Sequence, residues 1–492
     1  MLTLSNSQLA ALPTSIARFG YARESLGVGI VHIGPGVFHR AHPAWFTEAA
    51  LGEAADRTQQ WGICVVALHT ENVVHALREQ DHLYTLAVLD DEVRLQVVGA
   101  IVAALHAPTQ LPAVLAELCA PTTKVVTLTI TEKGYCLARN GELNFAHPDI
   151  QHDLADPTHP ISAVGLLALA LAQRRAAGVA PFLAVSCDNL PDNGARLRRA
   201  LLQFTASTAP EVSRWLEQDG RFINTLVDSI APAVEAGLLA HVQSALGVRD
   251  AMAVQREPYT QWVLEDPGAL PRPAWEVAGA LWVPDVAPYE QAKLRVLNGS
   301  HSTLTYLGVL LGLTTMADAM ATPLLRAFIE PMMREEVVPG LARAPTLDHQ
   351  RYVGEVLRRI GNPRLGHRLL QIGMDGSQKV PLRLLPCIVA NLAAGRPSMR
   401  LSLAVCGWLC FIRDQARRGI TLSDPADAAL RATGQACTGD AAQDISRFLA
   451  LREVFDEGFA ANPQIRAALI GAYTALGDAS PARIADALGR CT

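Results

Sequence analysis

Short apolar runs alternate with stretches of helical periodicity along the first part of the chain. The apolar runs that are rich in β-branched residues cover residues 29–33, 62–68, 124–130 and 182–186. Helical periodicity occurs at residues 42–51 and is strongest in the Ala- and Leu-rich stretch from Ala163 to Ala176. Strands that alternate with helices of this length predict βαβ units and a parallel sheet. Two further runs, residues 83–89 and 93–98, predict a pair of strands.

The pattern changes near Pro288, where β-branched runs become rare and Leu, Ala and Arg recur at helical spacing. Proline and glycine punctuate this half, as in Gly361-Asn-Pro363, and they mark the predicted helix ends. The proline-rich stretch of residues 267–288 lies between the two patterns. The sequence therefore predicts an α/β N-terminal domain at residues 1–285 and a mostly α-helical C-terminal domain at residues 286–492.

One helical stretch of the second half carries polar residues where core positions are expected. It begins at Lys293 and continues through Asn298 and His301. At about 3.6 residues per turn, these residues fall at roughly 0°, 140° and 80° around the helix, so that all three can face one cleft. Burying an ammonium, an amide and an imidazole without partners costs several kcal/mol, so the three need partners or a function. This segment is the leading candidate for an active site.

Composition excludes several classes of function. The chain has 492 residues, of which half are hydrophobic and 18% charged, as is typical of a globular protein with two or three domains. The net charge is −5 without blocks of like charge, so nucleic acid is not expected as a partner. The longest apolar runs, such as residues 403–412, are shorter than the roughly 20 residues that a membrane span requires. The first residues do not resemble a signal peptide, and the expected location is cytoplasmic.

A glycine turn follows the first predicted strand. In Gly34-Pro-Gly36, the first glycine permits a tight turn, and the second lets the backbone approach a pyrophosphate at a helix N-terminus. The third glycine of the dinucleotide fingerprint is missing, so the motif alone is weak evidence for a nucleotide site. The next strand ends at Leu68, and Glu71 is the acidic residue that could reach the ribose hydroxyls. No arginine suited to a 2′-phosphate occurs there, which favours NAD without excluding NADP.

Three histidines cluster near this turn, but their spacing matches no zinc motif. His32 falls within a predicted buried strand, and His39 and His42 follow the turn. Satisfied core or turn histidines explain the cluster better than metal ligands do, and no metal site is predicted. His39 and Arg40 are instead candidates for contacts with a cofactor or substrate. The nine scattered cysteines include no CxxC pair, and they are expected to be buried, reduced thiols.

Other polar residues follow predicted strands or interrupt apolar helices. Asn189 comes after a strand, at the edge where open α/β sheets bind ligands, although a turn explains it equally well. Asp228 follows an apolar run and is either a helix cap or an orienting carboxylate. Arg368 and Lys379 lie in a polar segment amid apolar helices. A solvated loop would explain both, and so would the anchoring of a polyhydroxy or carboxylate substrate.

Five motifs together resemble the mannitol dehydrogenase family of polyol-specific long-chain dehydrogenases. They lie at residues 34–42, 129–135, 186–189, 257–262 and 293–301, and the most specific of them is Lys293-x4-Asn298-x2-His301. The resemblance covers nearly the whole chain in the right order. It implies a Rossmann-type N-terminal domain, a mostly helical C-terminal domain, and metal-independent hydride transfer with NAD(P).

The resemblance also implies roles for individual residues. Lys293 would be the general acid/base, Asn189 and Asn298 would flank the reacting oxygen, and His301 would contact the substrate. Asp228 would be a nearby carboxylate, with Arg368 and Lys379 as further substrate anchors. The residues expected to bind the cofactor are Gly34, Gly36, Phe38, Arg40, Glu71 and Thr131.

Some positions depart from the family pattern or divide its members. Ser229 stands where the family often has arginine, so a basic contact is lost. The sequence Glu132-Lys133-Gly-Tyr135 is most similar to fructuronate reductases, and Lys133, Arg368 and Lys379 would suit a carboxylate. The expected substrate pair is therefore D-mannonate and D-fructuronate, with mannitol or arabinitol as the alternative.

Two other classes of protein remain as alternatives. A Rossmann-type regulator would keep the fold without the chemistry, but it would be expected to lose Lys293, Asn298 or His301, which are all present. A zinc hydrolase that uses the histidines is more distant, and metal analysis would identify it. Many members of the family act as monomers, but no feature of the sequence decides the oligomeric state.

Overall fold

The computed structural model describes residues 2–53, 60–138 and 140–491. The chain forms two compact units, Met1–Val286 and Ala287–Thr492. The strands, all of which lie in the first unit, are β1 (Val28–Ile33), β2 (Gly62–Ala67), β3 (Tyr84–Leu89), β4 (Val93–Val98), β5 (Ile101–His106), β6 (Val125–Leu128), β7 (Leu183–Ser186), β8 (Arg221–Ile223), β9 (Thr225–Asp228), β10 (Val254–Arg256), β11 (Gln261–Glu265) and β12 (Leu281–Val283).

The main sheet of the first unit has six parallel strands in the order β5-β2-β1-β6-β7-β8. Numbered along the chain within this sheet, the order is 3-2-1-4-5-6, which is that of a Rossmann fold. The strand order reverses between β1 and β6, so this is the point at which such sheets bind ligands. The predicted α/β class and Rossmann-type architecture are confirmed.

The apolar strands form this sheet because both of its faces are covered. Ile30 and Val65 point into one core cluster, whereas Val31 and Val66 point into a second cluster on the opposite face. Continuous apolar runs are therefore required in place of alternation between apolar and polar residues. The helices of this unit are α1 (Val37–Ala41), α2 (Pro43–Glu53), α3 (Glu71–Glu79), α4 (Ala107–Cys119), α5 (Pro148–Ala155), α6 (Ala163–Ala176), α7 (Asn193–Thr208), α8 (Pro210–Asp219) and α9 (Ala236–Leu246).

Two small sheets complete the first unit. In one, β3 pairs with β4 antiparallel, as the sequence predicts, and β10 is parallel to β3. In the other, β11 lies between β9 and β12. The helix predicted at residues 42–51 is confirmed as α2, and a separate short helix, α1, precedes it directly after the glycine turn.

The second unit is helical, as predicted. Its helices are α10 (Ala287–Ala292), α11 (Gly299–Leu310), α12 (Met316–Ala321), α13 (Pro323–Pro331), α14 (His349–Ile360), α15 (Leu369–Ile372), α16 (Gly376–Arg383), α17 (Leu385–Ala393), α18 (Met399–Arg417), α19 (Asp427–Gln435), α20 (Ala441–Leu449), α21 (Glu457–Ala461), α22 (Pro463–Leu476) and α23 (Pro481–Gly489). Helix α18 is buried on every side between Leu401 and Ile412, and it packs against α11, α19 and α22. An apolar helix of this kind forms the centre of a bundle.

Among the described residues, no helix combines the length and the apolar character that crossing a membrane would require. The nine cysteines are free thiols, and all are buried except Cys119, which is partly exposed. This agrees with the expectation from their spacing.

Candidate active site

A cavity of about 410 Å³ opens at the point where the strand order of the main sheet reverses. It is lined by the turn after β1, through Gly34, Pro35 and Gly36, and by Thr129, Ile130 and Thr131 after β6. Its volume is within the range of about 300–1,000 Å³ that is typical of small-molecule sites. The glycine turn after β1 and the residues after β6 therefore line one cavity at the carboxyl edge of the sheet, where the sequence predicts that a dinucleotide binds.

The two positions of the turn require glycine for different structural reasons. Gly34 has a φ of +96°, and a Cβ there would lie 2.2 Å from the carbonyl oxygen of Thr129. For Gly36, the nearest atom to an added Cβ is the carbonyl oxygen of Gly34, at 3.9 Å. The protein itself therefore requires glycine at position 34, whereas at position 36 the missing side chain leaves an open cradle for a ligand.

Arg40 lines the same cavity and is 94% buried, since only 6% of its surface is exposed. Its Nη1 lies 3.4 Å from the sulfur of Met252, and its Nε has no hydrogen-bond partner within the described parts of the chain. No carboxylate of the described residues forms a salt bridge with it. Burial lowers the pKa of the guanidinium from its usual value. Asp250 attracts this guanidinium without forming a salt bridge, and a buried cation that has no salt bridge is suited to an anionic ligand such as a pyrophosphate.

The N-terminus of α6 provides a second feature that favours an anion. Ser162 and Ala163 line the cavity, and the Ser162 side chain caps the helix by accepting a hydrogen bond from the N–H of Gly165. The buried Asp153 holds Ser162 in place, because it accepts bonds from both the backbone N–H and the hydroxyl. The helix contains 14 residues, and its dipole favours negative charge at this end. The sequence reasoning did not identify this helix end.

Four of the six residues predicted to bind the cofactor line the cavity, and two do not. Gly34, Gly36, Arg40 and Thr131 line the cavity, but Phe38 and Glu71 do not. The Phe38 ring stacks on His42, with 5.1 Å between ring centroids. The Glu71 carboxylate faces His75, with Oε1 3.3 Å from Nε2. At the end of β2 the cavity is lined by His69 and Thr70.

The predicted histidine cluster lies beneath the glycine turn. The rings of His32 and His39 are stacked, with 3.5 Å between centroids. His32 is satisfied by the hydroxyls of Thr127 and Thr129, at 2.7 and 2.9 Å. Both ring nitrogens of His39 are buried without a partner among the described residues, so the expectation of satisfied core histidines is wrong for His39. Burial lowers the pKa of both rings, which are therefore neutral near pH 7.

Asp188 fixes the edge of the sheet on which Asn189 lies. Its carboxylate accepts hydrogen bonds from the N–H groups of Ile130 and Thr131, at 3.0 and 2.8 Å, and from the Tyr135 hydroxyl at 2.7 Å. The next residue, Asn189, is exposed at the carboxyl end of β7. Asp188 lies within the motif at residues 186–189. Its hydrogen bonds to a loop nearly 60 residues away could not be predicted from the sequence, because they depend on the fold.

Asp228 lies on a different sheet from Asn189. It is the last residue of β9, it is buried, and it is in register with Gln261 of β11. The neighbouring Ile230 N–H is held by the carboxylate of Glu257, at 2.7 Å. Asp228 is therefore a strand residue, and the alternative that it caps a helix is wrong.

In the second unit, the predicted helix start at Lys293 is wrong. The helix begins at Ala287, and residues Lys293–Asn298 form a π-helical turn between α10 and α11. The N–H of Gly299 reaches the carbonyl oxygen of Leu294, five residues earlier. In a π-turn, the hydrogen bond joins residue i+5 to residue i, so Lys293 and Asn298 lie on adjacent turns and the 140° separation of a regular α-helix does not apply. Such insertions into helices are frequent at functional sites.

Side chains satisfy the backbone carbonyls around this turn. The hydroxyls of Ser300 and Thr303 donate to the carbonyl oxygens of Val296 and Gly299, at 2.6 and 2.9 Å. Arg383, at the end of α16, donates from Nη1 to the Asn298 carbonyl oxygen at 3.3 Å and to the Ser302 hydroxyl at 3.0 Å. Burial lowers the pKa of Arg383 to about 10. No carboxylate of the described residues pairs with this cation, and sequence reasoning missed it.

His301 follows the π-turn on α11 and is half-buried. The ring of His367 stands nearly perpendicular to it, at 79°, with 6.3 Å between the ring centroids. Burial lowers the pKa of His367. Lys293, Asn298 and His301 thus follow one another along one helical segment, and the perpendicular imidazole of His367 can fix the orientation of the His301 ring.

The two predicted anchors of the second unit differ in their surroundings. Arg368, next to His367, is exposed. The Lys379 ammonium donates to the carbonyl oxygen of Met374 at 2.6 Å and lies 3.7 Å from the carboxylate of Asp375. Lys379 thus stabilises the loop between α15 and α16, and a contact with substrate would be an additional role.

Two family models match the chain. The model described as the mannitol dehydrogenase Rossmann domain matches residues 28–277, and the mannitol dehydrogenase C-terminal domain matches residues 285–477. The chain is 37% identical to the D-mannonate oxidoreductase of Escherichia coli, over 97% of this chain and 98% of that protein. It is 38% identical to the mannitol 2-dehydrogenase of Phaeosphaeria nodorum, over 91% of this chain and 81% of that protein.

A solved structure also matches over the whole length. It is the mannitol 2-dehydrogenase of Pseudomonas fluorescens in a ternary complex with NAD and D-mannitol. The two chains are 36% identical, each is covered completely, and the TM-score is 0.85. The residues that line the cavity of the first unit fit the dinucleotide that this relative binds.

Proposed function

The chain belongs to the mannitol dehydrogenase family and is an NAD-dependent oxidoreductase of polyols or sugar acids; from this premise we propose that it interconverts D-mannonate and D-fructuronate. The observation that carries this choice of substrate is Arg383, a partly buried guanidinium without a salt-bridge partner among the described residues, bonded to Asn298 and Ser302. An uncompensated cation beside the candidate catalytic turn favours a substrate that carries a carboxylate. Arg368 and Lys379 add positive charge to the same unit.

Lys293 is proposed as the general acid/base. To accept the hydroxyl proton during oxidation, its amine must be neutral, so its pKa must be lowered from about 10.4 by desolvation or neighbouring cations. During reduction, the ammonium form returns the proton to the developing alkoxide. The bound nicotinamide accepts or supplies the hydride. Such a base replaces the metal of other alcohol dehydrogenases, and typically contributes about 10²–10⁴-fold to the rate.

Asn298 and Asn189 are proposed to donate amide N–H bonds to the reacting oxygen, and His301 is proposed to bind a substrate hydroxyl. One well-placed donor of this kind stabilises a transition state by about 3 kcal/mol. The π-turn supports this assignment for Asn298, because Lys293 and Asn298 are its first and last residues and lie on adjacent turns of the same helical segment. Asp228 is proposed as a carboxylate near the substrate.

The second candidate is D-mannitol 2-dehydrogenase activity. It is favoured by the similarity to the mannitol 2-dehydrogenases of P. nodorum and P. fluorescens, whose identity to this chain is 38% and 36%. The D-mannonate oxidoreductase of E. coli, at 37%, is equally similar. Overall identity therefore does not choose between the substrates.

The experiment is a panel of substrates with one enzyme preparation. Initial rates are measured with mannonate, altronate, mannitol, sorbitol and arabinitol, each with NAD⁺ and NADP⁺. We expect kcat/KM for mannonate with NAD⁺ to exceed that for every neutral polyol by at least about tenfold, which corresponds to about 1.4 kcal/mol. A neutral polyol with the higher kcat/KM would replace the sugar acid as the substrate.

A further inference from the structure

Three side chains with metal-binding atoms meet beside the dinucleotide cavity. They are Cys136, His147 and Asp149, and one ligand atom from each lies within 4.8 Å of the other two. Cys136 ends the short 3-10 turn Glu132–Tyr135, while His147 and Asp149 belong to the cap and first turn of α5. None of them belongs to the site predicted from the sequence.

The donor atoms of this cluster have few other partners. The closest acceptor of the Cys136 thiol is the carbonyl oxygen of Gly134, at 3.9 Å. The Asp149 carboxylate lies 3.9 Å from Nδ1 of His147, which also accepts the backbone N–H of Asp149 at 3.2 Å. Within the described ranges, no lysine or arginine forms a salt bridge with Asp149. Its ionic partner among the described residues is the imidazole of His147, which is itself a member of the cluster.

The chemistry of the three donors selects a particular class of cation. A thiolate, an imidazole and a carboxylate are all ligands of Zn²⁺, with bonds of about 2.0–2.3 Å. Around a tetrahedral ion with such bonds, two ligand atoms lie about 3.3–3.8 Å apart, so the side chains must move closer by about 1 Å to close the cluster around it. Cys136 is buried, whereas His147 and Asp149 are partly exposed, at 33% and 39%, so a cation can enter from their side.

We propose that Cys136, His147 and Asp149 bind Zn²⁺ or a similar thiophilic divalent cation, with water in the fourth position. On binding, the S–H bond of Cys136 breaks, its proton leaves to solvent, and the sulfur lone pair forms the bond to the metal. No electron is transferred. The ion has no part in the hydride transfer assigned to Lys293 and the bound dinucleotide.

The proposed site has a consequence for cofactor binding, because Asp149 and Gly134 also line the dinucleotide cavity. A carboxylate on this wall that has no lysine or arginine partner among the described residues repels the phosphates of the dinucleotide. A bound cation neutralises that charge, so it should strengthen the binding of NADH. By linkage, NADH should strengthen the binding of the metal by the same factor.

The first experiment measures binding of the metal itself. The full-length protein is freed of metal with a chelator and titrated with Zn²⁺ by equilibrium dialysis, and then with Co²⁺ to detect a thiolate-to-metal charge-transfer absorption. We expect one equivalent per chain, with affinity reduced at least about tenfold in C136S and in H147A. C119S is the matched control, since Cys119 lies in the same unit and its thiol hydrogen-bonds to Ala170 and Gln173, away from the cluster.

Two results would overturn the proposal. The first is failure of the wild-type protein to retain zinc, and the second is the same zinc affinity and cobalt spectrum in C136S or H147A as in the wild type. The two variants change different elements, and circular dichroism identifies one that has not folded. The dissociation constant of NADH is then measured with and without Zn²⁺. It should fall at least threefold in the wild type and stay unchanged in C136S; an unchanged wild-type value would refute the coupling. None of these readouts depends on which substrate is turned over.

Discussion

The guanidinium of Arg383 donates a hydrogen bond to the carbonyl oxygen of Asn298, which lies 85 residues earlier in the chain. The bond reaches the last residue of the π-turn, where a helix with one additional residue leaves backbone groups without their usual partners. The same guanidinium also binds the hydroxyl of Ser302 on α11. Arg383 therefore holds the turn that carries Lys293 and Asn298, and we regard it as a positioning residue.

We expect R383A to lower kcat by about 10–100-fold with any substrate, because a displacement of about 1 Å at a catalytic group has an effect of this size. R383K should recover part of the loss, since an ammonium can still donate to the Asn298 carbonyl oxygen. The dissociation constant of NADH, measured by fluorescence, should stay within twofold of the wild type. R343A is the matched control, because Arg343 is exposed in the same unit. A wild-type kcat in R383A would remove Arg383 from this role.

The same variant separates positioning from charge. If Arg383 also favours an acidic substrate, R383A should raise KM for mannonate more than KM for mannitol. Equal changes in the two KM values would leave only the positioning role and would weaken the case for a sugar acid.

The two glycines of the turn should respond differently to alanine. G34A places a Cβ 2.2 Å from the Thr129 carbonyl oxygen at a φ of +96°, so we expect the free energy of unfolding to fall by at least 1–3 kcal/mol. G36A meets no protein atom closer than 3.9 Å, so its stability should be nearly unchanged while NADH binds about tenfold more weakly. Thermal unfolding and NADH titration of both variants test this. Unchanged NADH binding by G36A would contradict the assignment of the cavity.

Replacing Arg40 with methionine should weaken cofactor binding without greatly lowering stability. The buried guanidinium forms no salt bridge among the described residues, although Asp250 attracts it, so R40M should not greatly lower the free energy of unfolding. NADH should bind at least about tenfold more weakly, because the pyrophosphate loses its cation. Urea unfolding without cofactor and NADH titration measure the two effects. A large loss of stability with normal NADH affinity would show a purely structural role.

Glu48 should make the stability of the protein depend on pH. Burial raises its pKa to about 7, although its Oε2 accepts bonds from the Tyr21 hydroxyl and from the N–H groups of Gly99 and Ala100. Because the folded protein holds this proton more tightly than the unfolded chain, the stabilisation is complete below pH 4.5 and declines as the pH rises to about 7. We expect E48Q to remove this decline, which amounts to a few kcal/mol at most. Urea unfolding of both proteins at pH 5 and pH 8 provides the comparison, and an identical pH dependence in E48Q would disprove the assignment.

The sheet and the site could be predicted from the sequence to different depths. The apolar runs located β1, β2, β6 and β7, because strands buried on both faces leave an unambiguous signal. The Ala- and Leu-rich stretch gave the bounds of α6 correctly. The sequence identified the motif around Lys293, but it did not predict that the backbone there forms a π-turn.

The π-turn escaped prediction because its extra residue leaves no mark in the apolar period, and the side chains that satisfy it, such as Arg383, are distant in sequence. The sequence also cannot show that Arg40 lacks a salt bridge, since this depends on which carboxylates lie near it in the fold. Glu71 is a different case. Its position after β2 predicts a ribose contact, whereas in the structure its carboxylate faces His75. Sequence spacing identifies which residues are available, whereas packing decides where they point.

The most direct test of the central claim is the turnover of K293A with mannonate and NAD⁺, measured beside the binding of NADH. With Lys293 as the general acid/base, kcat should fall by about 10²–10⁴-fold while the dissociation constant of NADH changes less than twofold. K124A is the matched control, because Lys124 is exposed in the first unit and should retain full activity. A K293A enzyme whose kcat stays within a few-fold of the wild type would contradict the account.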